Sequence, residues 1–352
     1  MPAITAGKVL VSGANGFVAV WVVRSLLENG FSVRGAVRSA AKGAHLREQF
    51  SKYGDRFGLA IVPDITKVSA FDEAVKGVDA IAHTASPYHF QADDPAELLE
   101  PAIKGTLGIL ESARKCSSVK RVVVTSSTAA VLHDSPTPQV FSELDWDDQA
   151  VEEVEKKGRA ASNAHKYRAS KTLAERAAWD FVKKHQSELG WDLSVLNPPL
   201  ILGPVIHEVS SPDALNTSAR QMHGVFTQPD AVVSGAGCWV DVRDIAFAHV
   251  LALQKQEAGG ERIIISAGAF KWQDWLDAAP AESKSKYQKG TPRGRKRGGP
   301  PSALRCQQEQ AHSGDAVSQH GGNRQGRGRG LRAKGMVRMR VCLFRLKEGR
   351  DS

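Results

Sequence analysis

The sequence predicts a doubly wound α/β fold in which helices cover both faces of a parallel sheet. Over the first 280 of the 352 residues, short apolar runs alternate with longer amphipathic stretches. Runs such as KVLVSG at 8–13 and RVVVTSS at 121–127 are rich in Val and apolar on both faces, which is typical of strands buried between two helical layers. The amphipathic stretches are suited to the crossover helices that parallel strands require.

The predicted elements follow this alternation along the chain. We expect strands at 8–13, 31–37, 59–64, 78–86, 121–127 and 193–198, and helices at 18–29, 41–53, 71–76, 96–116 and 163–188. A further strand enters a helix over 238–254, and ERIIISA at 261–267 is one more strand. The stretches 133–162 and 199–236 are rich in Pro, Ser and charge. With the C-terminal region, they are expected to form a smaller lobe at the carboxyl ends of the strands, where a substrate would bind.

Composition narrows the class of protein. Hydrophobic residues make up 41% of the chain, which is enough for a sizeable core. The sequence has no apolar run of about 18 residues and no basic leader before the first strand. Cys116, Cys238, Cys306 and Cys342 show no metal-type or redox-type spacing. We therefore expect a soluble cytoplasmic protein, a monomer or homodimer, without a metal.

A glycine turn between the first strand and the first helix is the strongest local motif. In SGANGFVA, Gly13, Gly16 and Ala19 are spaced G-x-x-G-x-x-A directly after a buried strand. Glycine allows a tight turn and close approach of the backbone to a pyrophosphate, and the helix N-terminus offers free N–H groups to its phosphates. This context favours dinucleotide binding in a Rossmann-like fold over a purely structural turn. The predicted contacts are Gly13, Asn15, Gly16, Phe17 and Val18.

The end of the second strand favours NADP(H) over NAD(H). An acidic residue is usual there when the ribose carries a free 2′-hydroxyl. The segment SVRGAVRSAAK instead has Arg38 at the strand end, Arg34 and Lys42 nearby, and no Asp or Glu. A guanidinium suits a 2′-phosphate, although these cations are also compatible with a solvated surface. Asp64, after the third strand, is placed to meet the adenine, with a capping role as the alternative.

Strand-end hydroxyls and a Tyr-Lys pair follow in the order that one reaction requires. Thr125, Ser126 and Ser127 end a central strand, where they either face a nicotinamide crevice or cap a helix. Tyr167 and Lys171 lie four residues apart in a helical pattern, so both side chains project from one face. That spacing alone is common on solvated helix surfaces. Its place after the glycine turn, the basic strand end and the serine favours a catalytic pair.

With these motifs the sequence resembles the extended short-chain dehydrogenases/reductases, especially the dihydroflavonol-reductase-like branch with its fungal NADPH-dependent aldehyde, ketone and methylglyoxal reductases. The resemblance covers about residues 8–291 and rests on SGANGFVA, VRGAVRS, AHTASP, VKRVVVTSST, YRASKTLAE, LNPPLILGP and WVDVRDIAFAHVLAL. It implies that Ser127 binds a carbonyl oxygen, Tyr167 donates a proton and Lys171 holds the nicotinamide ribose. Further predicted cofactor contacts are Ile65, Thr84, Ala85, Ser86, Thr125 and Pro198, with strand termination as the alternative for the proline-containing segments.

The predicted function is NADPH-dependent reduction of an aldehyde, ketone or α-dicarbonyl to an alcohol by hydride transfer. One alternative is a nucleotide-sugar epimerase or dehydratase with the same fold and triad. Another is an NADP(H)-binding protein made inactive by an aberrant C-terminus. On this basis residues 1–270 form the NADP-binding domain with its insertions, 271–292 are a remnant of the substrate lobe, and 293–352 are a disordered tail.

The tail resembles an out-of-frame continuation of the family's C-terminus. Residues 281–352 contain 18 Lys and Arg against 5 Asp and Glu, whereas residues 1–280 contain 29 against 33. RGRKRGG, LRCQQEQAHSGDA and QHGGN are compatible with codons that give family-like segments in one frame shifted by one nucleotide. We interpret residues from about 293 onward in this way, and the nucleotide sequence can refute it. GRGRG also resembles RNA-binding segments, but nucleic acid is not an expected partner.

Overall fold

The computed structural model describes residues 3–86, 92–137, 139–227 and 236–279, together with the backbone of Arg305 and Cys306. The strands are β1 (Lys8–Ser12), β2 (Ser32–Val37), β3 (Phe57–Ile61), β4 (Ala80–His83), β5 (Arg121–Thr125), β6 (Val140–Phe141), β7 (Asp192–Asn197), β8 (Leu200–Leu202), β9 (Ala236–Asp241), β10 (Arg262–Ile264), β11 (Gly268–Lys271) and β12 (Arg305–Cys306). The α-helices are α1 (Phe17–Glu28), α2 (Ala44–Gln49), α3 (Ala96–Arg114), α4 (Asp148–Lys157), α5 (Asn163–His185), α6 (Thr217–Thr227), α7 (Val242–Gln254) and α8 (Trp272–Ala278).

Seven of the strands in these described ranges form one parallel sheet in the order β10-β7-β5-β4-β1-β2-β3. The chain starts in the middle at β1, proceeds outward through β2 and β3, and then continues on the other side with β4. This reversal leaves a crevice beyond the carboxyl ends of β1 and β4, which is where ligands bind in open α/β sheets. The predicted doubly wound, Rossmann-like fold is confirmed.

The sheet has a hydrophobic layer on each face because successive side chains of a strand point in opposite directions. In β1, Val9 and Val11 belong to the layer that contains α1 and α7, whereas Leu10 belongs to the layer with α3 and α5. All three residues are fully buried. Burial on both faces explains why the strand sequence is a continuous apolar run and not an alternating one.

A smaller group of elements lies beyond the main sheet. β8 pairs in parallel with β9, and β9 pairs antiparallel with β11. Phe270, Trp272 and Leu276 form a separate buried cluster with Val225 of α6. The two-residue strands β6 and β12 also pair in parallel. These elements include parts of the predicted insertions and of the region after residue 270.

Two local predictions differ from the structure. The predicted helix at 71–76 is wrong, since residues 68–77 form successive turns. Ser69 and Gly77 have φ values of +61° and +64°, so the backbone leaves right-handed helical geometry on both sides of this short segment. The helix expected at 41–53 is also interrupted, because only 44–49 is α-helical and the flanking turns are 3₁₀.

Several sequence predictions concern residues that the structure does not describe. These are Pro87, residues 228–235 of the 199–236 stretch, and the tail from 293 onward apart from the backbone of β12. Where the structure does describe the chain, no helix is both long and apolar enough to cross a membrane.

Candidate active site

The glycine turn connects β1 to α1 at the crevice. Gly13 has φ +63°, in the left-handed region, and a Cβ placed on it would lie 3.2 Å from the Cα of Ala85. The N–H of Gly16 donates to the carbonyl of Gly13 at 2.9 Å, which closes the turn. The N–H groups of the first turn of α1 have no acceptor within the helix, and that turn contains no acidic side chain. The turn therefore fits the pyrophosphate of a dinucleotide.

The loop after β4 is fixed against the glycine turn by Ser12. The backbone N–H groups of Thr84 and Ala85 each donate to Ser12 Oγ at 3.0 Å, and Ser12 Oγ lies 2.9 Å from Nδ1 of His83. Burial lowers the pKa of His83 to about 3, with a further contribution from the positive Lys171. His83 is thus neutral, and its Nδ1 can accept the serine proton while the two amides donate to Oγ.

Helix α5 carries the predicted Tyr-Lys pair. The helix starts after Ser162, whose hydroxyl accepts from the N–H of His165 at 3.1 Å. The Lys171 ammonium lies 5.9 Å from the centre of the Tyr167 ring, and Nζ donates to Ser86 Oγ at 3.0 Å. Burial lowers the pKa of Lys171 to about 8, although the negative charge of Glu175 opposes this effect. Lys171 therefore remains mostly protonated at neutral pH.

The three hydroxyls at the end of β5 have different surroundings. Thr125 Oγ1 bonds to Nε2 of His249 at 2.7 Å, and Ser126 Oγ donates to Glu175 at 2.5 Å. Ser127 Oγ accepts from the N–H of Ala129 at 3.1 Å, which caps the short 3₁₀ helix at 128–130. The capping alternative therefore holds for Ser127, yet its proton is only weakly engaged, 3.4 Å from a carbonyl oxygen. Of the three, Ser127 is the hydroxyl best placed to donate to a ligand.

A cavity of about 900 Å³ connects the glycine turn with the amino-terminal part of α5. At one end it is lined by the turn and the start of α1, and at the other by Ser127, Tyr167 and Lys171. A cavity of this size holds a dinucleotide's reactive end together with a small molecule. The predicted residues that line it are Gly13, Gly16, Phe17, Val18, Thr84, Ser86, Thr125, Ser127, Tyr167, Lys171 and Pro198.

The other predicted cofactor residues are not part of the cavity wall. Ala85 contacts Gly13, and Asn15 lies within the turn. Arg38, Lys42 and Asp64 are exposed, and Ile65 packs against Gly105 of α3.

The carboxylate of Asp64 has the capping role considered as its alternative. Asp64 Oδ1 accepts from the N–H and hydroxyl of Thr66, at 2.9 and 2.6 Å. These bonds lower the pKa of Asp64, with smaller contributions from Lys67 and Arg38. Arg34 is directed away from this group, since its Nη1 donates to carbonyl oxygens of the 74–76 segment. Arg38 is thus the strand-end cation near Asp64.

Two partners of the strand-end hydroxyls were not among the sequence predictions. His249 bonds to Thr125, and Glu175 bonds to Ser126. Only Glu175 had a local signal, because it stands four residues after Lys171 on the same helical face. Among the described residues, no group of three or more His, Cys, Asp or Glu side chains could hold a metal ion.

Known proteins are similar to this chain in both sequence and fold. Residues 9–268 match the NAD dependent epimerase/dehydratase family. The chain is 40% identical over 280 residues to the ketoreductase azaE of Aspergillus niger, covering 75% of this chain and 79% of the relative. It is 36% identical over 282 residues to the NADPH-dependent methylglyoxal reductase GRE2 of Saccharomyces cerevisiae, covering 77% and 81%. The crystal structure of yeast methylglyoxal/isovaleraldehyde reductase Gre2 complexed with NADPH superposes with a TM-score of 0.69 at 35% identity, covering 77% of this chain and 81% of that chain.

The close approach of Gly13 to Ala85 can be tested with Gly13→Ala. Gly30→Ala is a matched control, because Gly30 also has a left-handed φ, +89°, but no atom lies within 4 Å of its added Cβ. Both variants lose about 1 kcal/mol of stability from backbone strain. Only Gly13→Ala should also weaken NADPH binding, by about tenfold, measured by fluorescence titration. Equal NADPH affinity of the two variants would contradict a pyrophosphate site at the glycine turn.

Proposed function

Because this chain belongs to the NAD-dependent epimerase/dehydratase family of extended short-chain dehydrogenases/reductases, we propose that it reduces the carbonyl group of a small molecule with NADPH. It is an NADP(H)-dependent oxidoreductase. The observation that supports the proposal most strongly is the cavity that joins the glycine turn to Ser127, Tyr167 and Lys171. The family also includes epimerases and dehydratases by name, but the relatives at 36 and 40% identity are reductases.

The residues of α5 supply the proton that carbonyl reduction requires. NADPH, when bound, supplies the hydride for the carbonyl carbon. The Tyr167 hydroxyl donates its proton to the carbonyl oxygen, so that the product is the neutral alcohol. A free tyrosine is a weak acid, with a pKa of about 10, and a nearby ammonium favours its phenolate. The Lys171 ammonium, 5.9 Å from the ring centre, thereby makes Tyr167 a better proton donor.

Ser127 and Lys171 orient the reactants. The Ser127 hydroxyl donates to the carbonyl oxygen and stabilises the negative charge that develops there. Nζ of Lys171, which donates to Ser86, has two further protons for the nicotinamide ribose. The site thus provides a donor for the oxygen, a proton source and an anchor for the cofactor.

Arg38 is proposed to select NADPH by binding the 2′-phosphate. It is exposed at the end of β2, and its charge reaches Asp64 at the end of β3. A flexible, exposed cation is suited to a phosphate that arrives with the cofactor. Lys42 and Asp64 complete the proposed group around the adenosine.

The proton donor is tested by Tyr167→Phe, which removes the hydroxyl and keeps the ring. NADPH oxidation should be followed with aldehydes, ketones and α-dicarbonyls. We expect kcat to fall by a factor of about 100 to 10,000 while NADPH still binds. Tyr53→Phe is the control, because Tyr53 packs near Phe50 and Phe57, away from the cavity. The proposed function is overturned if neither this chain nor a version restored to the shifted frame reduces any carbonyl.

The cofactor selector is tested by Arg38→Gln. Loss of a charged hydrogen-bond donor should weaken NADPH binding by about tenfold or more and leave NADH binding unchanged. Arg47→Gln, which removes an exposed arginine of α2, controls for net charge. The dissociation constants of both cofactors are measured by fluorescence. A parallel loss for NADPH and NADH would assign Arg38 a general role and not a selective one.

A further inference from the structure

A buried carboxylate lies one helical turn beyond Lys171. Glu175 is four residues further along α5, and only 1% of its surface is exposed. Its Oε2 accepts hydrogen bonds from Ser126 Oγ at 2.5 Å and from Asn197 Nδ2 at 2.8 Å. Its Oε1 accepts from Arg262 Nε, also at 2.5 Å. One side chain thereby connects α5 to the carboxyl ends of β5 and β7 and to the edge strand β10.

The surroundings of Glu175 require two acceptor oxygens. Asn197 Nδ2 and Arg262 Nε can only donate hydrogen bonds, and they address different oxygens of the carboxylate. A glutamine has one oxygen and one NH₂ group, so in either orientation its NH₂ would face one of these donors. A buried donor without an acceptor is costly. The site therefore distinguishes a carboxylate from an amide of the same shape.

The contacts of Glu175 lead to the proposed catalytic residues. Ser126 directly precedes Ser127, and Asn197 Nδ2 also lies 3.1 Å from the carbonyl oxygen of Ser127. Glu175 also acts on Lys171. Burial disfavours the protonated form of Lys171, and the negative charge of Glu175 favours it. The other titratable groups near Lys171 are His83 of β4, which burial keeps neutral, and Tyr167 on the same helix.

We propose that Glu175 is a positioning residue of the reductase reaction, which fixes the positions of Ser127 and Lys171 relative to each other. Its negative charge also favours the ammonium form of Lys171. This inference rests on the proposed function, because it assigns Glu175 a role through two residues of that reaction. The competing explanation is that Glu175 only ties a helix to the sheet. Under that explanation its loss affects stability alone.

A second ion pair, which has a fully buried arginine, lies on the same strands and provides the control. Asp192 accepts from Arg121 Nε at 2.6 Å and from Nη2 at 2.8 Å, and Arg121 is fully buried. Both residues are at the amino ends of β5 and β7, in register with each other. They are therefore about 13 Å or more from the carboxyl ends that Glu175 contacts. Asp192→Asn disturbs the same strands without touching the site.

The experiment compares Glu175→Gln with Asp192→Asn. Both variants should unfold at lower temperature than the wild type, since each removes the carboxylate partner of an arginine that is largely or fully buried. Only Glu175→Gln should lower kcat, by about tenfold or more, because small displacements of reacting groups are costly. The dissociation constant of NADPH is also measured between about pH 6 and pH 9.

This second readout does not require turnover. The ammonium form of Lys171 binds the ribose, so affinity decreases as the pH rises through the pKa of Lys171. Without the charge of Glu175 that pKa is lower. The decrease should therefore occur at lower pH in Glu175→Gln, and at the wild-type pH in Asp192→Asn.

The inference is overturned if Glu175→Gln behaves like Asp192→Asn in both kcat and the pH dependence of binding. If the wild type reduces no carbonyl, the proposed function fails, and the binding profile alone decides the role of Glu175. If Glu175→Gln does not fold, Ser126→Ala replaces it, since this variant removes one donor and keeps the charge. It should lower kcat by about threefold without a change in the binding profile, and a wild-type kcat would count against the proposal.

Discussion

All strands of the main sheet run in the same direction, and the placement of the proposed catalytic groups depends on this constraint. Parallel strands share one carboxyl edge. The pairings β1–β4, β4–β5 and β5–β7 put the glycine turn, the Thr84–Ser86 loop, Ser127 and Asn197 side by side along that edge. A register slip of one residue in any pairing would turn the strand-end side chain to the opposite face. The segments of the site therefore lie along the edge in the same order as the strands that carry them.

Helix α5 contributes the Tyr-Lys pair to this edge and buries several polar side chains. Lys171 and Glu175 are both buried, and burial of a charge is costly unless partners compensate for it. Ser86 accepts from Lys171, and Glu175 is balanced by Arg262, whose guanidinium lies 3.7 Å from the centre of the Trp146 ring. Glu175 and its partners extend from Ser126, in the cavity wall, to Arg262 on the edge strand. The buried polar groups around Glu175 are therefore connected directly to the wall of the site.

Properties that depend on nearby residues were predictable from the sequence, and those that depend on distant partners were not. The apolar runs indicated the sheet, and the predicted helix at 96–116 closely matches α3. The direction in which a strand-end hydroxyl points depends on partners that are distant in the sequence. Thr125 and Ser126 bond to residues 124 and 49 positions away, so only the family resemblance, and not the local pattern, distinguished Ser127 from them. Glu175 likewise gains its significance from Arg262, 87 positions further along, which only folding brings to it.

We propose that one cavity holds NADPH with its pyrophosphate at the glycine turn and its nicotinamide beside a carbonyl bound by Ser127 and Tyr167. The most direct measurement follows deuterium from NADPH labelled at C4 of the nicotinamide into the product of a reduced aldehyde or ketone. We predict that one face of the labelled position delivers its deuterium to the carbinol carbon, because α5 and β5 fix the substrate on one side of the ring. Deuterium released to water, or equal transfer from both faces, would contradict this account.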